Sequence, residues 1–370
     1  MKQFKIVPQI YTADTVAAFC KEFSIGDGDL VFLSKSTQKY FSGLLGNAHV
    51  IYRNDYGTGE PTDKMVEKIY ADIKDVEYDR VIAIGGGTIV DTAKLLSLKQ
   101  YMPVSDLFEK KIPAERTKKL IIVPTTCGTG SEVTNISILE LTSLHTKMGL
   151  AVDPLYADFA VLIPELLENL PFKYFATSSI DALIHATESY LSPKATVFSQ
   201  LYSIEAVKMI LNGYMQIKKN GQAARIPLLQ DFLIASAYAG IAFGNAGTGA
   251  VHAMSYSFGA TYHVPHGEAN YVLYTAVFKK YQEKDPNGSI KKLNEVISSI
   301  LGCATNTVYE SLEELLNFIL EKKPMSQYGA VKEDIPVFTE NTLTKQGRLT
   351  ANEYVPLDKK DVMNIYTSVF

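Results

Sequence analysis

Two patterns of hydrophobic spacing divide the chain. Up to about residue 165, short runs of aliphatic and β-branched residues alternate with segments of helical spacing. Leu30–Leu33 (LVFL), Ala48–Tyr52 (AHVIY), Arg80–Ile84 (RVIAI) and Leu120–Val123 (LIIV) predict strands, while Thr62–Lys74 and Ile89–Leu98 predict helices. Such alternation predicts an α/β layer around a mostly parallel sheet. Beyond Pro164 the pattern changes. Ala176–Leu191, Phe198–Lys218, Pro227–Phe243 and Ile290–Leu301 are helix-length with no strand-like run between them, which predicts an all-helical half. The segment VLIPELLENLP, with Pro164 and Pro171 around a short helix, marks the boundary. The predicted domains are therefore 1–165 and 166–370. From Lys322 onward the pattern is polar, with helices and loops; no internal repeat is present.

Composition narrows the class. A chain of 370 residues accommodates two domains of ordinary size, and 46% hydrophobic content excludes wholesale disorder. The net charge of -4 provides no basic surface for nucleic acid or an anionic membrane. Cys20, Cys127 and Cys303 form no CxxC pair, so neither a thiolate zinc site nor a disulfide framework is expected, and a reducing, cytoplasmic compartment fits. The N-terminal MKQFKIVPQIYTAD lacks the apolar run of a secretory signal. Phe232–Val251 is uncharged and close to a membrane span in length. Its four glycines and its polar Ser236, Asn245 and Thr248 predict instead a buried helix that breaks at the glycine-rich end.

Two loops suit a nucleotide. In RVIAIGGGTIVDTAK a strand leads through Gly85, Gly86 and Gly87 into a helix that Thr88 is placed to cap. Amides without Cβ obstruction, at the positive end of a helix, make an anion site suited to a pyrophosphate. Asp91 and Lys94 lie one turn apart on that helix. This is neither the GxGxxG fingerprint nor a P-loop. The run LIIVPTTCGTGSEVT leaves a second strand into a loop where Thr125, Thr126, Thr129, Ser131 and Thr134 offer hydroxyls for ribose and phosphate. Cys127, with no basic neighbour in sequence, is expected only to line the site.

Four of the six histidines lie in the helical half. Asp181 and His185 are spaced i,i+4 on an otherwise apolar helix, so both project from one face. A carboxylate and an imidazole buried there need compensation. His252 and His266, fourteen residues apart, can return to the same point. One Asp and three His give an N/O donor set suited to Fe(II) or Zn(II), and a coordination position left open would make the site catalytic. On spacing alone a second reading stands beside this one. Asp181 and His185 can pair with each other, and each remaining histidine can be an ordinary core residue.

GGGTIVDTAK, PTTCGTGSEVT, DALIHATESY and the HAMSY…HVPHGEAN pair resemble the iron-containing (group III) alcohol dehydrogenases in order and spacing, from about residue 30 to beyond 280. The resemblance implies a dehydroquinate synthase-like architecture: an α/β nucleotide-binding domain followed by an all-α metal-binding domain. It implies an NAD-linked oxidoreductase acting on a CH–OH group, with Asp181, His185, His252 and His266 as metal ligands. Gly86, Gly87, Thr88, Asp91, Thr125, Thr126, Thr129 and Ser131 fall on its cofactor-binding stretches, and Lys147 matches a lysine near the cofactor ribose. YGTGEP, PTTCGTGSEVTN and GNAGTGAVHAMSY are most similar to a clostridial branch interconverting 4-hydroxybutyrate and succinate semialdehyde. A homodimer is the expected assembly.

Two departures from the family pattern matter. Tyr256 stands where HAxxH would place a second histidine, so Tyr256 or His263 is expected to serve the proton relay. Ser34 and Lys35 follow the predicted strand Leu30–Leu33, where NAD-using relatives carry Asp after their second strand, which opens the site to NADP as well. Asn245, Tyr256, Tyr262 and His263 are the candidates for binding a substrate carboxylate. Another small primary alcohol, such as butanol or 1,3-propanediol, is the alternative substrate. A dehydroquinate synthase-type lyase would need a cationic cluster, yet 176–270 holds only Lys194, Lys208, Lys218, Lys219 and Arg225. A non-catalytic nucleotide sensor would have no need of the metal set.

Overall fold

The apolar runs Leu30–Leu33, Val81–Ile84 and Leu120–Val123 form strands buried on both faces, as the central strands of a parallel sheet require. The computed structural model of the protein describes residues 3–142 and 146–370. One compact unit, Ile6–Leu170, contains every strand among the described residues. Its strands are β1 (Gln9–Thr12), β2 (Asp29–Leu33), β3 (His49–Tyr52), β4 (Arg80–Gly85), β5 (Lys119–Pro124), β6 (Ile136–Leu141), β7 (Thr146–Ala151) and β8 (Phe159–Leu162). Six of them form one sheet in the order β1-β8-β5-β4-β2-β3, all pairs parallel. Helices α1 (Val16–Glu22), α2 (Asp63–Ile73), α3 (Gly87–Leu96) and α4 (Val104–Phe108) belong to the same unit.

The four strands expected from apolar runs are β2 to β5, and the two expected helices are α2 and α3. Four further strands are present, and three of them lack that signal. β1 lies at the sheet edge with every residue exposed, so its QIYT carries no apolar run. β6 and β7 pair antiparallel in a hairpin outside the main sheet, where half-exposed strands mix polar and apolar residues. β8 does carry an apolar run, FAVL, and is largely buried inside the sheet.

The second unit, Pro171–Phe370 with Lys5 joined to it, contains helices and no strand among the described residues. Its helices are α5 (Phe172–Leu191), α6 (Val197–Asn220), α7 (Leu229–Ala246), α8 (Ala250–Tyr262), α9 (His266–Lys284), α10 (Ser289–Leu301), α11 (Val308–Ile319), α12 (Asp334–Lys345), α13 (Gly347–Thr350) and α14 (Lys359–Ser368). α5 is the axis of this unit. It packs against α6, α7, α9 and α10, and is buried continuously from Ser179 to Leu191. A helix buried all round shows no amphipathic stripe. The uncharged stretch noted above falls on α7 and the start of α8. α7 is long and apolar enough to cross a membrane, but it packs between α5 and α6 as a core helix.

α7 ends at Gly247, whose φ of 79° and ψ of 168° lie in a region open essentially to glycine alone. A Cβ there would also stand 2.4 Å from Asn352 Nδ2. This turn leads directly into α8 and His252. Gly247→Ala is therefore expected to cost about 2 kcal/mol or more, measured as a shift in the chemical-denaturation midpoint at unchanged slope.

Candidate functional site

The glycine and threonine loops leave neighbouring strand ends. Gly85, at the end of β4, is in register with Pro124, at the end of β5, and the Thr125 amide donates to the Gly85 carbonyl at 3.1 Å. A Cβ on Gly87 would stand 3.2 Å from Thr129 Cγ2, and one on Gly86 would stand 3.5 Å from Thr126 Cγ2, so the loops pack closely because these residues are glycines. Thr88 does not cap the helix as expected. α3 begins at Gly87, with Gly86 as its N-cap and no side-chain cap. The glycines let the helix start earlier, and the Thr88 hydroxyl donates instead to the Gly59 carbonyl at 3.3 Å. The first amides of α3 therefore have no partner within the helix and meet no capping oxygen, an arrangement suited to binding an anion.

Behind the loops lies a buried charge network. Lys94 is wholly buried, and its Nζ donates to Ser131 Oγ at 2.6 Å, to the Ile136 carbonyl at 2.6 Å and to Thr134 Oγ1 at 3.3 Å. Asp91 accepts from Ser131 Oγ at 2.6 Å and from the Ile138 amide at 3.0 Å, and lies 3.9 Å from Lys94 Nζ. Asp91 and Ser131, both on expected cofactor stretches, thus fasten α3 to the threonine loop. Thr125, Thr126 and Thr129 remain partly accessible on that loop. Lys147 lies in β7 and is ion-paired with Glu60. Burial lowers Lys94 to about 8, against the opposing pull of Asp91 and Glu132. Burial likewise raises the carboxyl of Glu132 to about 7.

In the helical unit, the ligand atoms of Asp181, His185, His252 and His266 all lie within 4.8 Å of one another. α5 carries Asp181 and His185, α8 carries His252 in its first turn, and α9 opens with His266. The His185 and His252 rings stack at 4.7 Å, and those of His252 and His266 lie 5.3 Å apart. Burial alone would raise the Asp181 carboxyl. The three imidazoles and the Asn270 amide outweigh it and hold the group below its ordinary value. The side chain of His266 is 34% exposed while Asp181 is 4% exposed, so the cluster opens on the His266 side.

Two further residues complete the cluster. Glu188 lies seven positions after Asp181 on α5; its carboxylate is 2.5 Å from His252 Nδ1 and accepts from the Val251 amide at 2.7 Å. With Nδ1 donating to Glu188, His252 Nε2 is left with its lone pair facing the cluster, as a metal ligand requires. Asn270 Nδ2 is 2.8 Å from Asp181 Oδ1, 3.2 Å from His252 Nε2 and 3.1 Å from His266 Nε2. Spacing offered a signal for both, since Glu188 continues the Asp181–His185 face and Asn270 follows His266 by one turn. The donor set, its separation and the lone-pair orientation fit a divalent first-row cation.

The candidates for a proton relay or a carboxylate contact separate. The Tyr256 ring lies 6.1 Å from that of His266, beside the open edge of the cluster. His263 is the exposed left-handed cap of α8, with φ 51°. Asn245 is committed to the backbone of Lys5, accepting from its amide at 2.7 Å and donating to its carbonyl at 2.9 Å. Tyr262 donates to Asp334 at 2.5 Å. These ties engage both ends of the Asn245 amide and the hydroxyl of Tyr262 within the protein.

The raised Glu132 carboxyl sets a pH dependence. A carboxyl whose folded value lies above its ordinary 4.5 binds more protons folded than unfolded, so stability falls as pH rises through about 7. Glu132→Gln is expected to leave stability near pH 5 almost unchanged and to raise it by up to about 3 kcal/mol at pH 8, read from denaturation midpoints at the two pH values.

Comparison with known proteins agrees with this geometry. The sequence matches the iron-containing alcohol dehydrogenase family over residues 11–164 and the C-terminal part of the Fe-containing alcohol dehydrogenase family over 175–370. It is 48% identical to the 4-hydroxybutyrate dehydrogenase of Clostridium kluyveri, with all of both chains covered. It is 32% identical to long-chain-alcohol dehydrogenase 1 of Geobacillus thermodenitrificans over 84% of this chain and 80% of that one. The structure of sulfoacetaldehyde reductase from Bifidobacterium kashiwanohense in complex with NAD+ shares the fold, with TM-score 0.86 and 20% identity over 100% of this chain and 98% of that one. The chain belongs to the iron-containing alcohol dehydrogenase family.

Proposed function

We propose that this protein is a metal-dependent, NAD-linked dehydrogenase that interconverts 4-hydroxybutyrate and succinate semialdehyde. The observation that carries the chemistry is the convergence of one carboxylate and three imidazoles within 4.8 Å. The substrate assignment is supported by the 48% identity, from end to end, with the C. kluyveri enzyme of that name. Asp181, His185, His252 and His266 would hold the cation, with Glu188 fixing the tautomer of His252. Fe(II) and Zn(II) both accept this donor set. When bound, the cation supplies Lewis acidity to the oxygen of the substrate.

The nucleotide would be held by the other unit. The amides opening α3 beyond Gly86 and Gly87 suit its pyrophosphate, with Thr88, Thr125, Thr126 and Thr129 available to its phosphates and ribose. Asp91 and Ser131 act from behind by fastening the loops, and Lys147 stands close by with Glu60. NAD is favoured over NADP by Asp55. The carboxylate missing after β2 is present after β3, where Asp55 pairs with Lys35 and Asn54 Oδ1 accepts from the Lys35 amide at 2.8 Å. Lys35 is thereby neutralised, and a carboxylate repels a 2′-phosphate.

Oxidation moves a hydride from the carbinol carbon to the nicotinamide and releases the hydroxyl proton. Tyr256 Oη is the group we assign to that proton, because its ring lies beside the accessible His266. The three cysteines form no disulfide among the described residues, in keeping with a cytoplasmic location, and we place the protein there as a homodimer, the commonest closed assembly.

The test follows reduced-nicotinamide absorbance with metal-reconstituted protein, NAD or NADP, and a panel of 4-hydroxybutyrate, butanol and 1,3-propanediol. The expected outcome is a kcat/KM highest for 4-hydroxybutyrate with NAD, lost on chelation and restored by Fe(II) or Zn(II). Turnover that survives complete metal removal would refute the mechanism; a preference for butanol would refute the substrate. Tyr256→Phe is expected to lower kcat by about 100-fold with metal content unchanged, measured by steady-state kinetics beside metal analysis.

A further inference from the structure

Asn270 sits where the metal ligands converge, and its side chain is wholly buried. It follows His266 by four residues on α9, so the two side chains share one face. Its Nδ2 is within 3.2 Å of Asp181 Oδ1, His252 Nε2 and His266 Nε2, three atoms contributed by three different helices. Each of the three is electron-rich. Asp181 is a carboxylate, and the lone pair of His252 Nε2 is directed inward by the Glu188 contact at Nδ1.

The orientation of the amide follows from these charges. With Oδ1 turned inward, a carbonyl dipole would oppose a carboxylate oxygen and imidazole lone pairs. With Nδ2 inward, an electropositive NH2 group meets them. Oδ1 has no hydrogen-bond partner and is buried, so nothing on its own side holds the amide in this orientation. The attraction of Nδ2 to the ligand atoms is what fixes it.

We propose that Asn270 is the positioning residue of the metal centre, its carboxamide drawing the ligand atoms of Asp181, His252 and His266 together before a cation arrives. Three acceptors from three helices repel one another, and two N–H bonds shared among them offset that repulsion. The Asp181 carboxylate keeps its bond to Asn270 once its other lone pairs face a cation, which limits its rotation. Asn270 therefore touches neither substrate nor cofactor in this role; it acts through the ligands. The inference rests on the metal centre proposed above.

Two variants of similar side-chain volume separate positioning from packing. Asn270→Leu removes both N–H donors, and Asn270→Asp replaces them with a negative charge. Purified full-length protein is stripped of metal and titrated with Zn(II) by calorimetry and with Co(II) by visible absorption, with thermal melts recorded with and without metal. Asn270→Leu is expected to weaken Kd for both ions by about 10-fold or more and to alter the Co(II) band. Asn270→Asp is expected to lower the melting temperature without metal and to show a larger rise than wild type when Zn(II) is added, because its charge repels Asp181 and attracts the cation. Kd values for both variants within threefold of wild type, or an equal fall in melting temperature with and without metal, would overturn the role of Asn270. Should Asn270→Leu fail to fold, the sign of the Asn270→Asp response decides alone. Wild-type protein that binds neither ion would refute the metal centre itself, an outcome distinct from unchanged binding in the variants.

Discussion

The helical unit is organised around two buried carboxylates on α5, Asp181 and Glu188. Asp181 projects from α5, the helix this unit packs around, and an ionised group there must be compensated from neighbouring helices. α8 supplies His252, α9 supplies His266 and Asn270, and α5 itself supplies His185 one turn on. Each partner is constrained in turn. Glu188 holds His252, and Gly247 permits the turn through which α7 gives way to α8. The compensation brings N and O donors to one point with lone pairs inward, and that is also what a divalent cation needs. The same constraint explains why an otherwise apolar helix carries Asp, His and Glu on one face.

The α/β unit uses buried charge differently. Lys94 and Asp91 fasten α3 to the loop after β5 through Ser131, Thr134 and the backbone at Ile136 and Ile138. The glycine turn can then dispense with a side-chain cap. The loop beside it is anchored from behind, and its front presents the partly accessible hydroxyls of Thr125, Thr126 and Thr129. Rigid support placed beneath a loop, rather than within it, leaves the ligand-facing backbone unencumbered.

Most of the elements that were legible in the sequence share one property, namely that their neighbours impose a single environment on them. β2, β4 and β5 are buried on both faces, so their apolar runs are continuous and easily recognised, while β3, at a sheet edge, keeps its run although only Ile51 is buried. β1, at the exposed edge, and the β6–β7 hairpin carry no such run, because one or both of their faces meet solvent. Thr88 illustrates a local rule overridden. Its position after three glycines suits a cap, but those glycines allowed the helix to begin first. Asn245 and Tyr262 lie in segments rich in site residues, yet their side chains turn to Lys5 and Asp334.

The sequence by itself determined the two-part organisation, the central strands, the pair of nucleotide loops and the i,i+4 placement of Asp181 and His185, because each depends on residues close together in the chain. It also identified the family, through four motifs in a fixed order. Only the tertiary structure decided that His252 and His266 meet that pair, that Glu188 and Asn270 join them, and that Asp91 and Ser131 serve as fasteners. These are contacts between groups up to 89 positions apart, as between Asn270 and Asp181, and no local periodicity encodes them. They arise where a buried charge must find its partners, and packing decides which partners are within reach.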